Sequence, residues 1–162
     1  MDLKLSGKNS LITGSTKGIG LQIAKKLHKE GCKIAVNGRN KNSLDKTMQI
    51  LPNSLPIHGD VTDKETAKEI IKKVIDEFGT LDILICNVGS GKSCAPGNEN
   101  YDEWIKMFNI NFLSATNIIE ASKDYLMRSK GCIVCISSIC GNEVIKNAPI
   151  PYSVAKAALN AY

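Results

Sequence analysis

Nowhere in the 162 residues does an apolar run approach the roughly 20 residues that a membrane-spanning helix needs. The first residues, MDLKLSGKNSLITG, hold neither a basic leader nor a cleavable apolar segment, so a cytoplasmic chain with no membrane partner is expected. Aromatic residues make up only 5% of the sequence, and the lysines behind the net charge of +5 are interleaved with acids. Lys25, Lys26 and Lys29, and again Lys64, Lys68, Lys72 and Lys73, fall at the spacing of solvated helix faces. With few rings for bases to stack on, nucleic acid is not an expected partner.

Histidine is nearly absent as well, with His28 and His58 alone available to join the six cysteines at 32, 86, 94, 132, 135 and 140. Cys132 and Cys135 have CxxC spacing, but they lie in GCIVCISS, which reads as a strand. Residues three apart on a strand point to opposite faces, so neither a shared metal nor a disulfide is expected of them. The cysteines are read as ordinary reduced thiols, mostly buried, and no metal site is expected.

What the sequence does contain is an alternation of short apolar runs and amphipathic segments, with 43% hydrophobic and 23% charged residues spread evenly. Residues 1–162 suffice for one domain with an ample core. Strands are expected at Asn9 to Thr13, Cys32 to Asn37, Leu55 to Val61, Leu81 to Asn87 and Cys132 to Ser137. Helices are expected at Gly18 to Glu30, near Ser43 to Leu51, from a Thr62/Glu65 capping box to just before Gly79, from Tyr101 to about Met127, and from Pro151 onward. Strand and helix in strict alternation predict an α/β fold, a parallel sheet with helices on both faces. Because the strands are almost continuously apolar, burial on both sheet faces is expected. Ligands of such sheets bind beyond the carboxyl ends of the strands, and the chemistry-bearing residues fall there.

TGSTKGIG (Thr13 to Gly20) leaves the first strand and enters the first helix. Glycines allow a tight turn and close backbone approach, and the helix N-terminus offers unpaired N–H groups to a pyrophosphate. An NAD site would place an acid at the end of the second strand, but Asn37, Gly38 and Arg39 stand there instead. Arg39 with Lys17 suits a phosphate, which favours NADP(H) over NAD(H). Tyr152 and Lys156 are spaced to share one helix face. A free phenol has a pKa of about 10, and a neighbouring ammonium favours the phenolate, so the pair suits proton donation and acceptance.

These pieces occur in a fixed order with others: GDVTD at Gly59 to Asp63, CNVG at Cys86 to Gly89, NIN ending at Asn111, ISS ending at Ser138, and YSVAK at Tyr152 to Lys156. The ordered set resembles the short-chain dehydrogenase/reductase family in its compact form, and the resemblance covers the whole chain. It implies a Rossmann-like doubly wound sheet in three layers, and an NADP(H)-dependent oxidoreductase interconverting a small-molecule carbonyl and alcohol, of the 3-oxoacyl-thioester reductase kind or a related one. By the resemblance, Asn111, Ser138, Tyr152 and Lys156 are the catalytic four. Tyr152 moves the proton, Lys156 assists it and holds the nicotinamide ribose, Ser138 binds the substrate oxygen and Asn111 fixes a relay water. Cofactor contacts fall on Gly14, Ser15, Thr16, Lys17, Gly18, Ile19 and Gly20, on Arg39, on Asp60 and Val61, on Asn87, Val88 and Gly89, and on Tyr152 and Lys156. Ser138 is preferred to Ser137 because the family motif places the second serine there.

The sequence departs from the family pattern in three ways. Val88 stands where the family has alanine, the segment between Ser138 and Tyr152 is one residue longer, and the chain ends soon after Lys156 where relatives continue. The expectation is an N-terminal portion of a longer enzyme, lacking the last strands and the substrate loop, with the fifth strand as an apolar edge. A homo-oligomer, dimer or tetramer, is implied for the full-length chain. The competing reading is a catalytically incomplete nucleotide-binding remnant or interaction module. An extended sugar-nucleotide epimerase or dehydratase shares the YxxxK pair, but the spacing of Gly14, Gly18 and Gly20 argues against it.

Overall fold

The computed structural model describes residues 3–162, and its frame is set by five short parallel strands. These are β1 (Asn9–Ile12), β2 (Lys33–Gly38), β3 (Leu55–His58), β4 (Ile83–Cys86) and β5 (Cys132–Cys135). Their spatial order is β3-β2-β1-β4-β5, so the chain steps outward from β1 to β3 and then crosses back over β1 to begin β4. The connections reverse direction between β1 and β4, and the crevice above their carboxyl ends is where this topology opens a ligand site.

Helices α1 (Gly18–Lys29), α2 (Lys41–Ile50), α3 (Lys64–Phe78), α4 (Tyr101–Phe108), α5 (Ser114–Ser129) and α6 (Ile150–Ala161) cover the sheet. One face carries Leu11, Ala35, Leu84 and Cys86 packed against Ile70, Val74, Ile118 and Leu126 of α3 and α5. The opposite face carries Ile12, Ile34, Val36 and Ile85 with Ala24 of α1 and Leu44 of α2. Alternate residues of each strand feed the two cores, which is the physical meaning of the unbroken apolar runs. Burial on both faces holds for β1 and β4 and fails at the sheet edges, where β3 alternates and β5 leaves Ile133 and Val134 exposed.

Several element boundaries differ from the sequence reading. β3 and β4 are shorter than expected, because the residues after them turn into the loops of the site. The capping box does not form: Asp63, not Thr62, caps α3 by accepting from the Thr66 amide at 2.7 Å. The Thr62 hydroxyl is instead committed to Asp60 at 2.8 Å. The long helix from Tyr101 is continuous but carries a π-helical turn over Asn109–Leu113 between α4 and α5. The cysteines are not mostly buried. Cys32 and Cys86 are buried, Cys94, Cys135 and Cys140 are partly exposed and Cys132 is exposed, because β5 is an edge strand and two of the others lie in loops. Among the described residues no helix is long and apolar enough to cross a membrane.

Candidate active site

The glycine turn is held from behind by the end of β2. Asn37, buried, accepts from the Gly14 amide through Oδ1 at 3.3 Å and donates through Nδ2 to the carbonyls of Ile57 and Gly59 at 3.2 and 3.1 Å. Ser15 is buried below the turn, donating to Ile12 O at 2.6 Å and accepting from the Asn37 amide at 3.0 Å. From the β4 side, Asn87 donates to the carbonyls of Thr13 and Gly14 at 2.9 and 3.1 Å, while Thr13 Oγ1 accepts from the Asn87 amide at 2.9 Å. The ends of β1, β2, β3 and β4 are thus stitched into one rigid rim. Gly20 packs beneath it, with no room for a side chain beside Asn87 and the Gly14 carbonyl.

Above this rim lies an open cleft of about 520 Å³. One end is lined by Lys17, Arg39, Asp60 and Val61, the middle by Gly14, Thr16, Gly18 and Ile19, and the far end by Asn87, Val88, Gly89, Tyr152 and Lys156. Of the expected contacts, Ser15 and Gly20 brace the rim without lining the cleft.

A dinucleotide fits these residues on three observations. α1 begins at the cleft with Lys17 at its N-cap, no side-chain cap and no acid in its first turn, whereas α2, α3 and α4 are each capped by a side chain. Its first N–H groups are therefore free to meet an anion. Gly18 has φ +56 and open space where a side chain would lie, so the backbone itself forms the cleft wall. At the first end the guanidinium of Arg39, largely exposed, pairs with Asp60 at 3.1 Å. Burial alone would raise the Asp60 carboxyl, but hydrogen bonds from Thr62 and Arg39 and the Arg39 charge outweigh it and hold the carboxyl below its ordinary range.

At the far end the π turn does local work. Asn111, fully buried, is turned inward so that Oδ1 accepts from the Ser90 amide at 2.9 Å and Nδ2 donates to the carbonyls of Ser90 and Met107 at 3.0 and 3.1 Å. Such turns recur at functional sites because they redirect one residue out of the helical repeat. Gly89 separates Asn111 from Lys156. A Cβ there would lie 2.9 Å from Asn111 Oδ1 and 3.2 Å from Lys156 Nζ.

Lys156 is only 4% exposed and donates to the carbonyl of Ile136 at 2.7 Å. Burial holds its ammonium below the ordinary lysine range, opposed by the charge of Cys135. Tyr152, one turn earlier on α6, lines the same cleft with its ring beside Gly91, and Lys156 bonds to the strand-end carbonyl rather than to the phenol. Ser138 caps a 3-10 turn (Ile139–Gly141), accepting from the Cys140 amide at 3.2 Å. Its neighbour Ser137 lines the cleft, with its hydroxyl 3.5 Å from the Lys156 carbonyl. Sequence reasoning did not assign Asn37, Thr13, Ser90 or Ile136 a role. Asn37 was visible at the end of β2 but was weighed only as a missing acid, and the other three act through backbone atoms or long-range contacts that carry no sequence signal.

The family model for short chain dehydrogenase matches residues 8–162. An uncharacterized oxidoreductase of Staphylococcus epidermidis is 33% identical over 160 residues, covering 98% of this chain and 69% of the relative. One from Staphylococcus aureus is 36% identical over 159 residues, covering 96% and 68%. Among solved structures, a short-chain dehydrogenase/reductase of unknown function from Caenorhabditis elegans, solved with cofactor, superposes with a TM-score of 0.93 at 29% identity, covering 98% of this chain and 63% of that one. An alcohol dehydrogenase from Thermococcus sibiricus, complexed with 5-hydroxy-NADP, gives 0.88 at 28% identity, covering 96% and 68%. The chain thus spans about two thirds of the length of the relatives it matches. Matched by the family model over nearly its whole length and by relatives on every side, the chain belongs to the short-chain dehydrogenase family.

Proposed function

We propose that this chain carries the cofactor-binding and proton-transfer half of an NADP(H)-dependent oxidoreductase that interconverts a carbonyl and an alcohol, and that residues 1–162 act as one dinucleotide-binding unit. The observation that carries the reading is the convergence of Tyr152 and Lys156 on the cleft whose other end is the uncapped N-terminus of α1. When bound, the nicotinamide supplies or accepts the hydride. Tyr152 gives its hydroxyl proton to the substrate oxygen or takes it back. Lys156, fixed by Ile136, places positive charge where the phenolate is left behind and offers its remaining N–H groups to a ribose hydroxyl. Ser138 spends an oxygen lone pair on the Cys140 amide, which leaves its O–H free to hydrogen-bond the substrate oxygen. Asn111 spends its side chain on Ser90 and Met107, so its part is to hold the loop of Gly89 and Ser90 and the backbone of the π turn.

Arg39 and Lys17 at the adenine end support a preference for NADP(H), because a guanidinium with one exposed face suits a 2′-phosphate. A 3-oxoacyl thioester or a related ketone is the proposed substrate class. The reading includes a cytoplasmic site of action and a homo-oligomer, and the exposed Tyr101, Ile105 and Leu113 on α4 and the π turn suit burial against a second copy. The decisive experiment is titration with NADPH followed by turnover with a ketone. Wild type should bind and oxidise NADPH, and Tyr152→Phe should bind it equally while losing on the order of 10²-fold or more in turnover, the scale of a lost general acid. Equal turnover in the variant would overturn the reading.

A further inference from the structure

β4 and β5 pair in a register that sets Cys86 directly opposite Cys135. Both side chains lie on the sheet face beneath α3 and α5. Directly opposed residues on neighbouring strands lie about 4.8 Å apart at Cα, inside the roughly 4.4–6.8 Å range of disulfides. The surroundings of the two sulfurs differ. Cys86 is buried on β4, an inner strand, and its thiol is pushed up by the neighbouring Cys135 and by burial, so it keeps its proton. Cys135 is partly open to solvent on the edge strand. Its thiol is drawn down by the neighbouring Cys86, against burial, and the Lys156 ammonium adds to the effect. No step proposed for Asn111, Ser138, Tyr152 or Lys156 uses either sulfur. Cys132, three residues earlier on β5, points to the other face, and Cys94 and Cys140 sit in loops.

We propose that Cys86 and Cys135 are a redox pair that hydrogen peroxide closes to an intramolecular disulfide. The Cys135 thiolate attacks one peroxide oxygen, forming S–O as O–O breaks, and the departing hydroxide takes a proton to become water. The Cys86 sulfur then attacks Cys135, forming S–S as S–O breaks, and its proton leaves with the oxygen as a second water. Two thiols are oxidised by two electrons and one peroxide is reduced to two waters. Cys135 is the attacking residue because it is the more open and the more acidic of the two, and Cys86 resolves it. The pair rests on strand register and on the setting of each sulfur, and so stands whether or not the chain is an active oxidoreductase. Closing it removes a negative charge that faces Lys156.

The test is a thiol map of the full chain. Native protein is treated with hydrogen peroxide, remaining thiols are alkylated in denaturant, and peptides are identified by mass before and after dithiothreitol. A reducible cross-link between the peptides of Cys86 and Cys135, with Cys94, Cys132 and Cys140 alkylated, is the expected result. Before oxidation, iodoacetamide should label Cys135 roughly tenfold faster than Cys86, following thiolate fraction and access. Cys86→Ser should leave a dimedone-reactive sulfenic acid at Cys135, and Cys135→Ser should leave Cys86 unmodified. Cross-links among the other cysteines, or both Cys86 and Cys135 recovered as free thiols while a loop cysteine is oxidised, would overturn the proposal. Should either serine variant fail to fold, the wild-type map alone decides between these results.

Discussion

The ammonium of Lys156 is joined to the carbonyl oxygen of Ile136 by a 2.7 Å hydrogen bond, which ties the middle of α6 to the chain leaving β5. The bond satisfies one of the three donors of a group taken almost wholly out of water, and burial lowers the native pKa. Between that lowered value and the unfolded value of 10.5, the unfolded chain binds more protons than the native one, so stability must rise with pH. Relative to Lys156→Met, which has nothing to titrate, wild type should gain stability as pH is raised toward 10.5. Urea midpoints of the two proteins across that range check the sign, and a relative loss for wild type would show that the ammonium is stabilised rather than strained by its surroundings.

Gly89 is the spacer between the side chains of Asn111 and Lys156. Its absent Cβ would fall within 2.9 Å of Asn111 Oδ1 and 3.2 Å of Lys156 Nζ, and Asn111 is locked by three hydrogen bonds that leave it little freedom to yield. Gly89→Ala should therefore destabilise the fold by about 1–3 kcal/mol, the range for overpacking a filled site. Gly79→Ala is the control: it carries a backbone strain that Gly89 does not, at φ +76, but meets no atom within 4 Å and lies at the far end of α3. Thermal melts should place both variants below wild type, and NADPH titration should show weakened binding for Gly89→Ala alone.

Much of this site was legible because its parts are local. The TGSTKGIG turn announces a strand, a tight bend and a helix within eight residues, and Tyr152 and Lys156 declare a shared helix face by their spacing. The five strands and five helical segments followed from alternation of pattern, the single helix expected from Tyr101 to about Met127 being α4 and α5 joined through the π turn. The π turn was not legible, since one extra residue in a helical run leaves the apolar periodicity almost unchanged, yet it is what turns Asn111 inward. Asn37 was read for the charge it lacks, while its function lies in bonds to Gly14, Ile57 and Gly59 that exist only once β1, β2 and β3 are side by side. Thr62 looked like a cap because a hydroxyl precedes a helix. Asp60 accepts from the Thr62 hydroxyl and Asp63 from the Thr66 amide, so which oxygen caps the helix depends on geometry.

Arg39 is paired with Asp60 at 3.1 Å, and the proposed preference for NADP(H) and a pH dependence both rest on that pair. Arg39→Ala should weaken NADPH binding by roughly tenfold to a hundredfold, the scale of a lost charge-assisted hydrogen bond, and leave NADH binding nearly unchanged. The Asp60 carboxyl is lowered in the native state, so its contribution to stability is complete above the unfolded value of 3.8 and disappears as pH falls through the native value. Asp60→Asn should accordingly be less stable than wild type at neutral pH and converge with it in acid. Isothermal titration with both nucleotides and acid unfolding curves measure the two effects separately.

Ser138 serves the fold and the proposed chemistry through different atoms of one hydroxyl. The oxygen accepts from the Cys140 amide and starts the 3-10 turn, while the proton is left for a substrate oxygen. Ser138→Ala removes both, and should cost about 1 kcal/mol as a lost cap together with most of the turnover. Ser138→Thr keeps an oxygen and a proton on Cβ, and should recover the stability and a large part of the rate. Ser137 reaches only the Lys156 carbonyl, at 3.5 Å, although it lines the cleft. Ser137→Ala should therefore leave kcat within a few fold of wild type. Steady-state kinetics on the three variants decide between the serines, because the reverse ranking would move the substrate oxygen to Ser137 and leave Ser138 with the cap alone.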